Sequence, residues 1–227
     1  MSSESLSAFI VGASGAVGKR LVQVLSKDNN FSRIVLLGRR TLELEEPSQK
    51  VEQRVIDFEK LDEHRAAFDG FDVGFCALGT TRAKSGAKGF YRVDHDYIVE
   101  SAKLAKAGGT KTFCLVSSGG ANENSPFLYM KTKGQVEREI TEMGFDRLVI
   151  AQPGVLEGPR EEFRFAEAAA KFFLKPMKLF TNNLAIETID VAKALTLCSL
   201  QKGASNRVEI IQNADLIKMA RSYDEKK

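Results

Sequence analysis

Short apolar runs alternate with segments of helical periodicity from the start of the chain. The runs lie at 8–11, 33–37, 53–58, 71–79, 111–118 and 146–156. Most are continuously apolar, which is typical of strands whose two faces are both covered. Strands of this kind, separated by helices, form a parallel sheet. The pattern therefore predicts an α/β fold: a Rossmann-like, doubly wound parallel sheet with helices on both faces.

The pattern is less regular after Pro159. The segments "EEFRFAEAAAKFFL" and "ETIDVAKALTLCSLQKG" predict helices, and "RVEIIQ" predicts a late strand. No linker, repeat or low-complexity tract divides the chain. We therefore expect a single domain over residues 1–227, in which about residues 160–227 form a small C-terminal elaboration, a lid on the substrate side.

Composition and charge exclude several classes of protein. The chain is 43% hydrophobic and 28% charged, as in soluble globular proteins, and its net charge of +3 is dispersed, which argues against direct nucleic-acid binding. It has no apolar run of membrane-spanning length, and its start does not resemble a signal peptide. Cys76, Cys114 and Cys198 are expected to be buried and reduced, in a cytoplasmic protein that also enters the nucleus. With two histidines and no close cysteine pair, we expect no metal site.

A glycine-rich turn follows the first strand. Gly12, Gly15 and Gly18 lie in "GASGAVG", where a helix begins. Glycines permit a tight turn, and the helix N-terminus offers N–H groups to a phosphate. A P-loop does not fit, because five residues separate Gly12 from Gly18 and Arg20 replaces the required Ser or Thr. We therefore expect a dinucleotide site rather than an ordinary turn.

The end of the second strand indicates the form of the cofactor. An acidic residue there is typical of NAD, whereas arginine suits the 2′-phosphate of NADP. The sequence "LLGRR" places Arg39 and Arg40 at this point, which favours NADPH or NADP over a solvated basic turn. Asp57 ends the third predicted strand, and Leu78 and Gly79 end the fourth. All three are expected beside the cofactor, because ligands bind at the carboxyl ends of parallel strands.

A tyrosine and a lysine share a helical stripe in "FLYMKTKGQVEREI". Tyr129 and Lys133 are followed at helical spacing by Val136 and Ile140, which predicts that Lys133 is buried. A buried lysine needs a partner, and the ribose hydroxyls of a dinucleotide would supply one. The lysine charge would make Tyr129 an effective general acid and base.

Two neighbouring features complete the candidate chemistry. Ser117 and Ser118 end the fifth strand, where a hydroxyl would polarise a substrate carbonyl, although the spacing does not show which serine faces the site. The loop "TTRAKSGAKGF" at 80–90 is either a lid over the cofactor, a grip on an acidic substrate or partner, or a solvated loop. His95, in the next helix, is expected on the surface.

These features together resemble the short-chain dehydrogenase/reductase superfamily. The glycine turn, the serine after the fifth strand and the Tyr-x-x-x-Lys helix carry this resemblance, and "GASGAVGK" with "PGVL" is similar to its atypical, NAD(P)-binding branch. Within that branch, "LLGRR", "DFEKLDEH", "RVDHDY" and "PFLYMKTKGQVE" resemble the Tat-interacting oxidoreductase-like tumour suppressors.

The resemblance implies NADPH binding and names its contacts. They are Ser14, Gly15, Ala16, Val17, Arg39, Arg40, Leu78, Gly79, Tyr129, Lys133, Leu156 and Arg164. Tyr129 matches the family's proton acceptor. Gln152 departs from the family pattern, where we expect an arginine before "PGV".

Two functions fit the sequence. The first is a carbonyl oxidoreductase that uses NADPH, with Tyr129 as general acid and base. The second, which the resemblance also implies, is an NADPH-dependent regulatory protein of nuclear transport, transcription, endocytic traffic or apoptosis, with protein partners and little turnover. A protein kinase is not supported, because the chain has no H-R-D or D-F-G motif. A monomer is the favoured state.

Overall fold

A computed structural model describes residues 5–158, 185–201 and 207–225. The strands are β1 (Leu6–Val11), β2 (Phe31–Gly38), β3 (Val51–Val55), β4 (Val73–Cys76), β5 (Thr112–Val116), β6 (Arg147–Gln152), β7 (Val155–Glu157), β8 (Ala185–Glu187) and β9 (Val208–Gln212). The helices are α1 (Ala16–Lys27), α2 (Arg82–Tyr91), α3 (Tyr97–Ala107), α4 (Leu128–Glu142), α5 (Thr188–Ser199) and α6 (Asn213–Glu225), with a 3₁₀ segment (Phe58–Phe68) and a π-helical turn (Arg92–Asp96).

Seven parallel strands form the main sheet in the order β3-β2-β1-β4-β5-β6-β9. The chain moves outward from β1 in one direction to β3, then returns to β4 and continues in the other direction. This arrangement is a doubly wound sheet, and the predicted Rossmann-like fold is confirmed. The order reverses between β1 and β4, where such sheets form a ligand crevice at the carboxyl ends of their strands.

The third strand differs from the prediction. It spans Val51–Val55 and pairs with β2 from Ile34 opposite Val51 to Gly38 opposite Val55, not over residues 53–58. β3 is the edge strand of the sheet and is partly exposed along its length, so its sequence includes polar residues. These residues remove the apolar pattern that would mark the start of the strand. Asp57 therefore follows the strand instead of ending it.

The C-terminal residues join the main sheet. β9 pairs with β6 along Leu148–Gln152, and α5 packs against α1 and α6. The predicted helix near residues 187–199 and the late strand are both confirmed. The helix predicted in "EEFRFAEAAAKFFL" lies outside the described residues. The single domain and its C-terminal lid stay predictions for the same reason.

Two apolar clusters cover the two faces of the sheet. Helices α1, α5 and α6 pack on one face, where Leu21, Leu195 and Leu216 are fully buried. The 3₁₀ segment, α3 and α4 cover the other face, where Phe9 and Phe113 lie in an aromatic cluster. Both faces of each central strand are thus dry, which explains the continuous apolar runs.

The cysteines lie inside these clusters, as the sequence predicts. Cys76, Cys114 and Cys198 are free and buried. Burial raises the pKa of Cys76 to about 11 and that of Cys198 to about 12. These thiols are therefore protonated at neutral pH and act as small apolar side chains.

Candidate functional site

The turn after β1 depends on a close approach of two backbones. Gly12 has a φ of +88°, and a Cβ atom there would lie 2.6 Å from the carbonyl carbon and oxygen of Ala77, just after β4. A Cβ atom on Gly18 would overlap the carbonyl oxygen of Gly12. Gly15 is the N-cap residue of α1, and its N–H donates to the Gly12 oxygen at 3.0 Å. The first-turn N–H groups of α1, which have no intrahelical partner, therefore begin beside the strand ends.

A cavity of about 650 Å³ opens in front of this turn. It brings together seven of the predicted cofactor contacts: Gly12, Ser14, Gly15, Arg39, Arg40, Leu78 and Gly79. The remaining wall includes Phe58 of the 3₁₀ segment, Lys84 and Ser85 of α2, and Tyr97 of α3. These residues therefore line one cleft at the switch point of the sheet.

The cleft suits an anionic ligand. Arg39, Arg40 and Lys84 line it, and the described residues of its lining include no carboxylate. All three cationic side chains are exposed. A helix N-terminus and guanidinium groups both favour phosphate. The cavity also has the volume of a small-molecule site. The residues present therefore fit a phosphorylated nucleotide.

Asp57 has a different local role from the one expected. Its carboxylate accepts a hydrogen bond from the N–H of Glu59 at 2.9 Å and caps the 3₁₀ segment, while its own N–H donates to His64. The next residue, Phe58, lines the cavity. The aromatic ring, rather than the carboxylate, faces this part of the cleft.

The other expected contacts lie around the cleft. Ala16 and Val17 form the first turn of α1, and Val17 points into the core with 4% of its surface exposed. Leu156 lies on β7 and packs against the core cluster on the α1 side. Arg164 lies outside the described residues.

Lys133 is buried, and its partner is a carboxylate of the protein. The Lys133 Nζ lies 2.9 Å from Oδ1 of Asp94, and the two side chains are 6% and 1% exposed. The other Asp94 oxygen accepts a hydrogen bond from the N–H of Thr80 at 2.7 Å. Burial, the largest single influence, opposes the charge of Lys133, but the Asp94 carboxylate together with Tyr129 and Cys76 outweighs it and raises the pKa of Lys133. The lysine is therefore held positive beside Tyr129.

Asp94 was missed by sequence reasoning, which assigned the partner of Lys133 to the ligand alone. Asp94 lies in the π-helical turn that leads into α3. Its signal was its spacing, since it precedes the buried Ile98 and Val99 by four and five positions and so lies on the inner face. A buried carboxylate needs a cation as its partner. The sequence points to Lys133 as that cation only because Lys133 is itself predicted to be buried.

Tyr129 lies in the first turn of α4, one turn before Lys133, as predicted. Its ring centroid is 5.8 Å from that of Phe90, which is buried. Tyr129 itself is partly exposed, and Phe127, two residues earlier, is 56% exposed. The phenol therefore lies at the outer end of a stripe whose inner end is the buried lysine.

The two serines have different surroundings. The Ser117 hydroxyl donates to the Glu137 carboxylate, and the Gln152 amide donates to both Glu137 oxygens at 2.9 Å. Ser118 is half-buried, and its hydroxyl reaches the Gly119 carbonyl at 3.4 Å. Ser117 thus faces α4, where Glu137 follows Lys133 by one turn. Gln152, the departure from the family pattern, binds this glutamate without adding a charge.

Two smaller predictions are wrong. Residues 82–91 form the helix α2, kinked at Gly86, because glycine accepts the φ of +68° that joins its two halves; this region was expected to be a loop. His95 was expected on the surface, yet its side chain is only 12% exposed. Its ring stacks on Tyr91 and binds Asp96 and Glu139 at 2.9 and 3.1 Å. The contact with Glu139 of α4, which no local pattern shows, places this side chain against another helix.

Comparisons with known proteins agree with this geometry. A family model described as NAD(P)H-binding matches residues 12–199. Protein HTATIP2 of Rattus norvegicus is 46% identical over 223 residues, covering 97% of this chain and 92% of that protein. The mitochondrial protein FMP52 of Candida albicans is 37% identical over 239 residues, covering 96% of this chain and all of that protein. The resemblance to atypical, Tat-interacting short-chain dehydrogenase/reductases is confirmed.

A solved structure shows the same fold. UDP-glucuronic acid 4-epimerase from Bacillus cereus, solved in complex with NAD, superposes with a TM-score of 0.69. It is 15% identical and covers 98% of this chain and 85% of its own. In the three described stretches of the present chain, no helix is long and apolar enough to cross a membrane.

Proposed function

Because the chain belongs to the NAD(P)H-binding family, we propose that it binds NADPH in the cleft and reduces a carbonyl compound, with Tyr129 as the proton donor. The observation that carries this proposal is the buried Lys133, which lies one helical turn after Tyr129 and is held positive by Asp94. A lysine that only stabilised the fold would not need to lie one helical turn from a partly exposed phenol.

The choice of NADPH over NADH rests on the end of β2. Arg39 and Arg40 line the cleft there, and an acidic residue for a ribose 2′-hydroxyl is absent from the described lining. Guanidinium groups bind a phosphate dianion with paired, charge-assisted hydrogen bonds. Two of them at this position support recognition of a 2′-phosphate.

The side chains of the chain itself would divide the remaining work. The cofactor, when bound, supplies the hydride. Lys133 keeps a fixed positive charge near Tyr129 and would also bind ribose hydroxyls. Tyr129 would give its phenolic proton to the developing alkoxide. Ser118 is the serine hydroxyl available to polarise the carbonyl, since Ser117 donates to Glu137.

Calorimetric titration of protein stripped of nucleotide tests the cofactor assignment. We expect tight binding of NADPH and much weaker binding of NADH. Arg39→Ala combined with Arg40→Ala should weaken NADPH strongly and leave NADH nearly unchanged. Arg65→Ala, an exposed arginine paired with Asp62 on the 3₁₀ segment, is the control. Equal losses for both cofactors would contradict recognition of the 2′-phosphate.

A screen of carbonyl substrates tests the reaction. Tyr129→Phe should abolish turnover and keep most of the NADPH affinity, because the ring and its contact with Phe90 remain. Ser118→Ala should slow turnover by a factor of about 100 or more if its hydroxyl stabilises the oxyanion. The same loss in Ser117→Ala alone, with Ser118→Ala active, would reverse the assignment of the two serines.

The second candidate is a regulatory protein that binds NADPH without turnover. The hydrogen bond from Ser117 to Glu137 favours it, because it engages one of the two candidates for the single carbonyl-binding hydroxyl. Under this proposal NADPH alters the contacts of the chain with protein partners. Tyr129→Phe would then leave partner binding and its dependence on NADPH unchanged, which pull-down with and without nucleotide measures.

We further propose that the chain acts as a monomer in the cytoplasm and nucleus. The fungal relative is named mitochondrial, so the location needs a direct test. Fractionation of cells that express the tagged chain should place it outside mitochondria, and light scattering should give the mass of one chain. Recovery in the mitochondrial fraction would contradict the proposed location.

A further inference from the structure

Helix α2 consists of two halves that face different cavities. Gly86 separates them with a φ of +68° and a ψ of 177°, a conformation that is almost confined to glycine. Before the kink, Lys84 and Ser85 line the cofactor cleft. After it, Lys88 lines a neighbouring cavity of about 680 Å³. The kink therefore decides which lysine of this helix reaches the nucleotide.

The first half of α2 adds a third cation to the cleft. Arg39 and Arg40 approach from the end of β2, and Lys84 approaches from α2. Three positively charged side chains around one cavity favour an anionic ligand. Two arginines suffice for one phosphate group, and a dinucleotide that carries a 2′-phosphate also has a pyrophosphate.

The first half of α2 is anchored to the buried ion pair of Asp94 and Lys133. The N–H of Thr80 donates to Asp94, whose other oxygen binds Lys133. The carbonyl of Thr81 then accepts the N–H groups of Lys84 and Ser85 at 3.0 and 3.1 Å and the Ser85 hydroxyl at 3.0 Å. The backbone that carries Lys84 is thus fixed to the same carboxylate that positions Lys133.

We propose that Lys84 is a phosphate-binding residue of the cofactor site, and that the glycine conformation at Gly86 sets the direction of its half-helix. This inference rests on the proposed NADPH binding and extends it to a part of the chain that sequence reasoning took as a loop. The ligand group is a phosphate of the dinucleotide, either the pyrophosphate or the 2′-phosphate.

Titration of Lys84→Gln and Lys88→Gln tests the proposal. The two substitutions remove the same charge from the same helix, on opposite sides of the kink. We expect Lys84→Gln to lower NADPH affinity about tenfold, as for loss of one charged contact to a ligand. Lys88→Gln should bind NADPH like the wild type. Equal affinity of Lys84→Gln and wild type would overturn the proposal.

Two simpler ligands identify the phosphate. NADH carries the pyrophosphate without the 2′-phosphate, and 2′-AMP carries the 2′-phosphate without the pyrophosphate. A loss confined to NADPH and NADH assigns Lys84 to the pyrophosphate, and a loss confined to NADPH and 2′-AMP assigns it to the 2′-phosphate. If wild-type protein binds none of the three, the proposed function fails together with this inference. If only the Lys84→Gln effect is missing, this inference fails alone.

Gly86→Ala tests the role of the kink. No heavy atom lies within 4 Å of the added methyl group, so the substitution acts through the backbone. We expect NADPH affinity to fall about as far as in Lys84→Gln, with no further loss in the double variant. Gly70→Ala is the matched control, since Gly70 has a φ of +73° and equally open surroundings outside the cleft. Wild-type affinity in Gly86→Ala would overturn the role of the kink.

Discussion

The two halves of the candidate site are built in opposite ways. The phosphate half has a backbone turn with no room for side chains, and two exposed cations lie beside it. It is formed by Gly12, Gly15, Gly18, Arg39 and Arg40. The reaction half, formed by Asp94, Lys133, Ser117 and Glu137, keeps its charged and polar groups within the fold and hydrogen-bonded to one another.

The difference follows from the solvent around each half. An exposed guanidinium is hydrated and free to meet a ligand, so it needs no partner of its own. A buried ammonium without a counter-charge would be strongly destabilised, so Lys133 arrives already paired with Asp94. The phosphate half should therefore tolerate loss of its charges, and the reaction half should not.

The largest effect is expected at the glycine turn. Gly12→Ala adds a methyl group 2.6 Å from the Ala77 backbone and strains a φ of +88°. We expect unfolding free energy to fall by about 4 kcal/mol or more, because steric overlap adds to strain. Gly109→Ala, with the same φ and nothing within 4 Å, should lose only about 1–2 kcal/mol. Urea denaturation compares the two, and equal losses would mean that the approach to β4 is unimportant.

The buried ion pair should give the next largest effect. Asp94→Asn leaves Lys133 buried without a counter-charge and should lower the unfolding free energy by about 3 kcal/mol at pH 7. Asp62→Asn, in a pair with Arg65 whose side chains are both 71% exposed, should lose less than about 0.5 kcal/mol.

This effect should depend on pH in a defined direction. In the wild type the folded-state pKa of Lys133 is raised, so the pair stabilises the fold below the ordinary lysine pKa of ~10.4 and is lost as pH rises past the folded-state pKa. In Asp94→Asn the counter-charge is absent and burial, which lowers the pKa of Lys133, is the largest remaining influence, so the unfolding free energy of the variant rises with pH. The difference in unfolding free energy between the two proteins should therefore narrow as pH rises toward the ordinary lysine pKa of ~10.4. A gap that is constant with pH would mean that Lys133 is not the group affected.

A smaller loss is expected in the glutamate network. Glu137→Gln turns one oxygen that accepts from Gln152 into a donor, and it should lower the unfolding free energy by about 1–2 kcal/mol. Glu142→Gln removes the same charge from an exposed pair on the same helix and should change stability by about 0.5 kcal/mol or less. Equal losses at the two positions would show that burial of Glu137 has no part in the effect.

The smallest effect on stability is expected for substitution of Arg39 and Arg40, although the effect of that substitution on NADPH binding is large. Arg39→Ala with Arg40→Ala should change the unfolding free energy by no more than about 0.5 kcal/mol, because both side chains are exposed. NADPH affinity should fall in the same protein. A loss of stability comparable with that of Asp94→Asn would remove the contrast between the two halves.

Much of the fold followed from local pattern. The central strands were visible because burial on both faces makes them continuously apolar, and the glycine turn was visible because Gly12 and Gly18 have no substitute there. The edge strand β3 was misplaced because one exposed side removes that signal. The sequence of α2 predicts a loop because glycine is unfavourable inside helices, whereas in the structure Gly86 only bends the helix.

The sequence was sufficient for the parallel sheet, the position of the glycine turn, the cations after β2 and the burial of Lys133, since each depends on neighbours in the chain or on simple periodicity. It was not sufficient for Asp94 beside Lys133, for Glu137 and Gln152 around Ser117, or for Lys84 on the cleft wall. Asp94 and Lys133 are 39 positions apart, Ser117 and Glu137 are 20 apart, and Glu137 and Gln152 are 15 apart. Only the packing of the π-helical turn, α3 and α4 against one face of the sheet brings such groups together. The energy of a buried charge depends on what surrounds it in space.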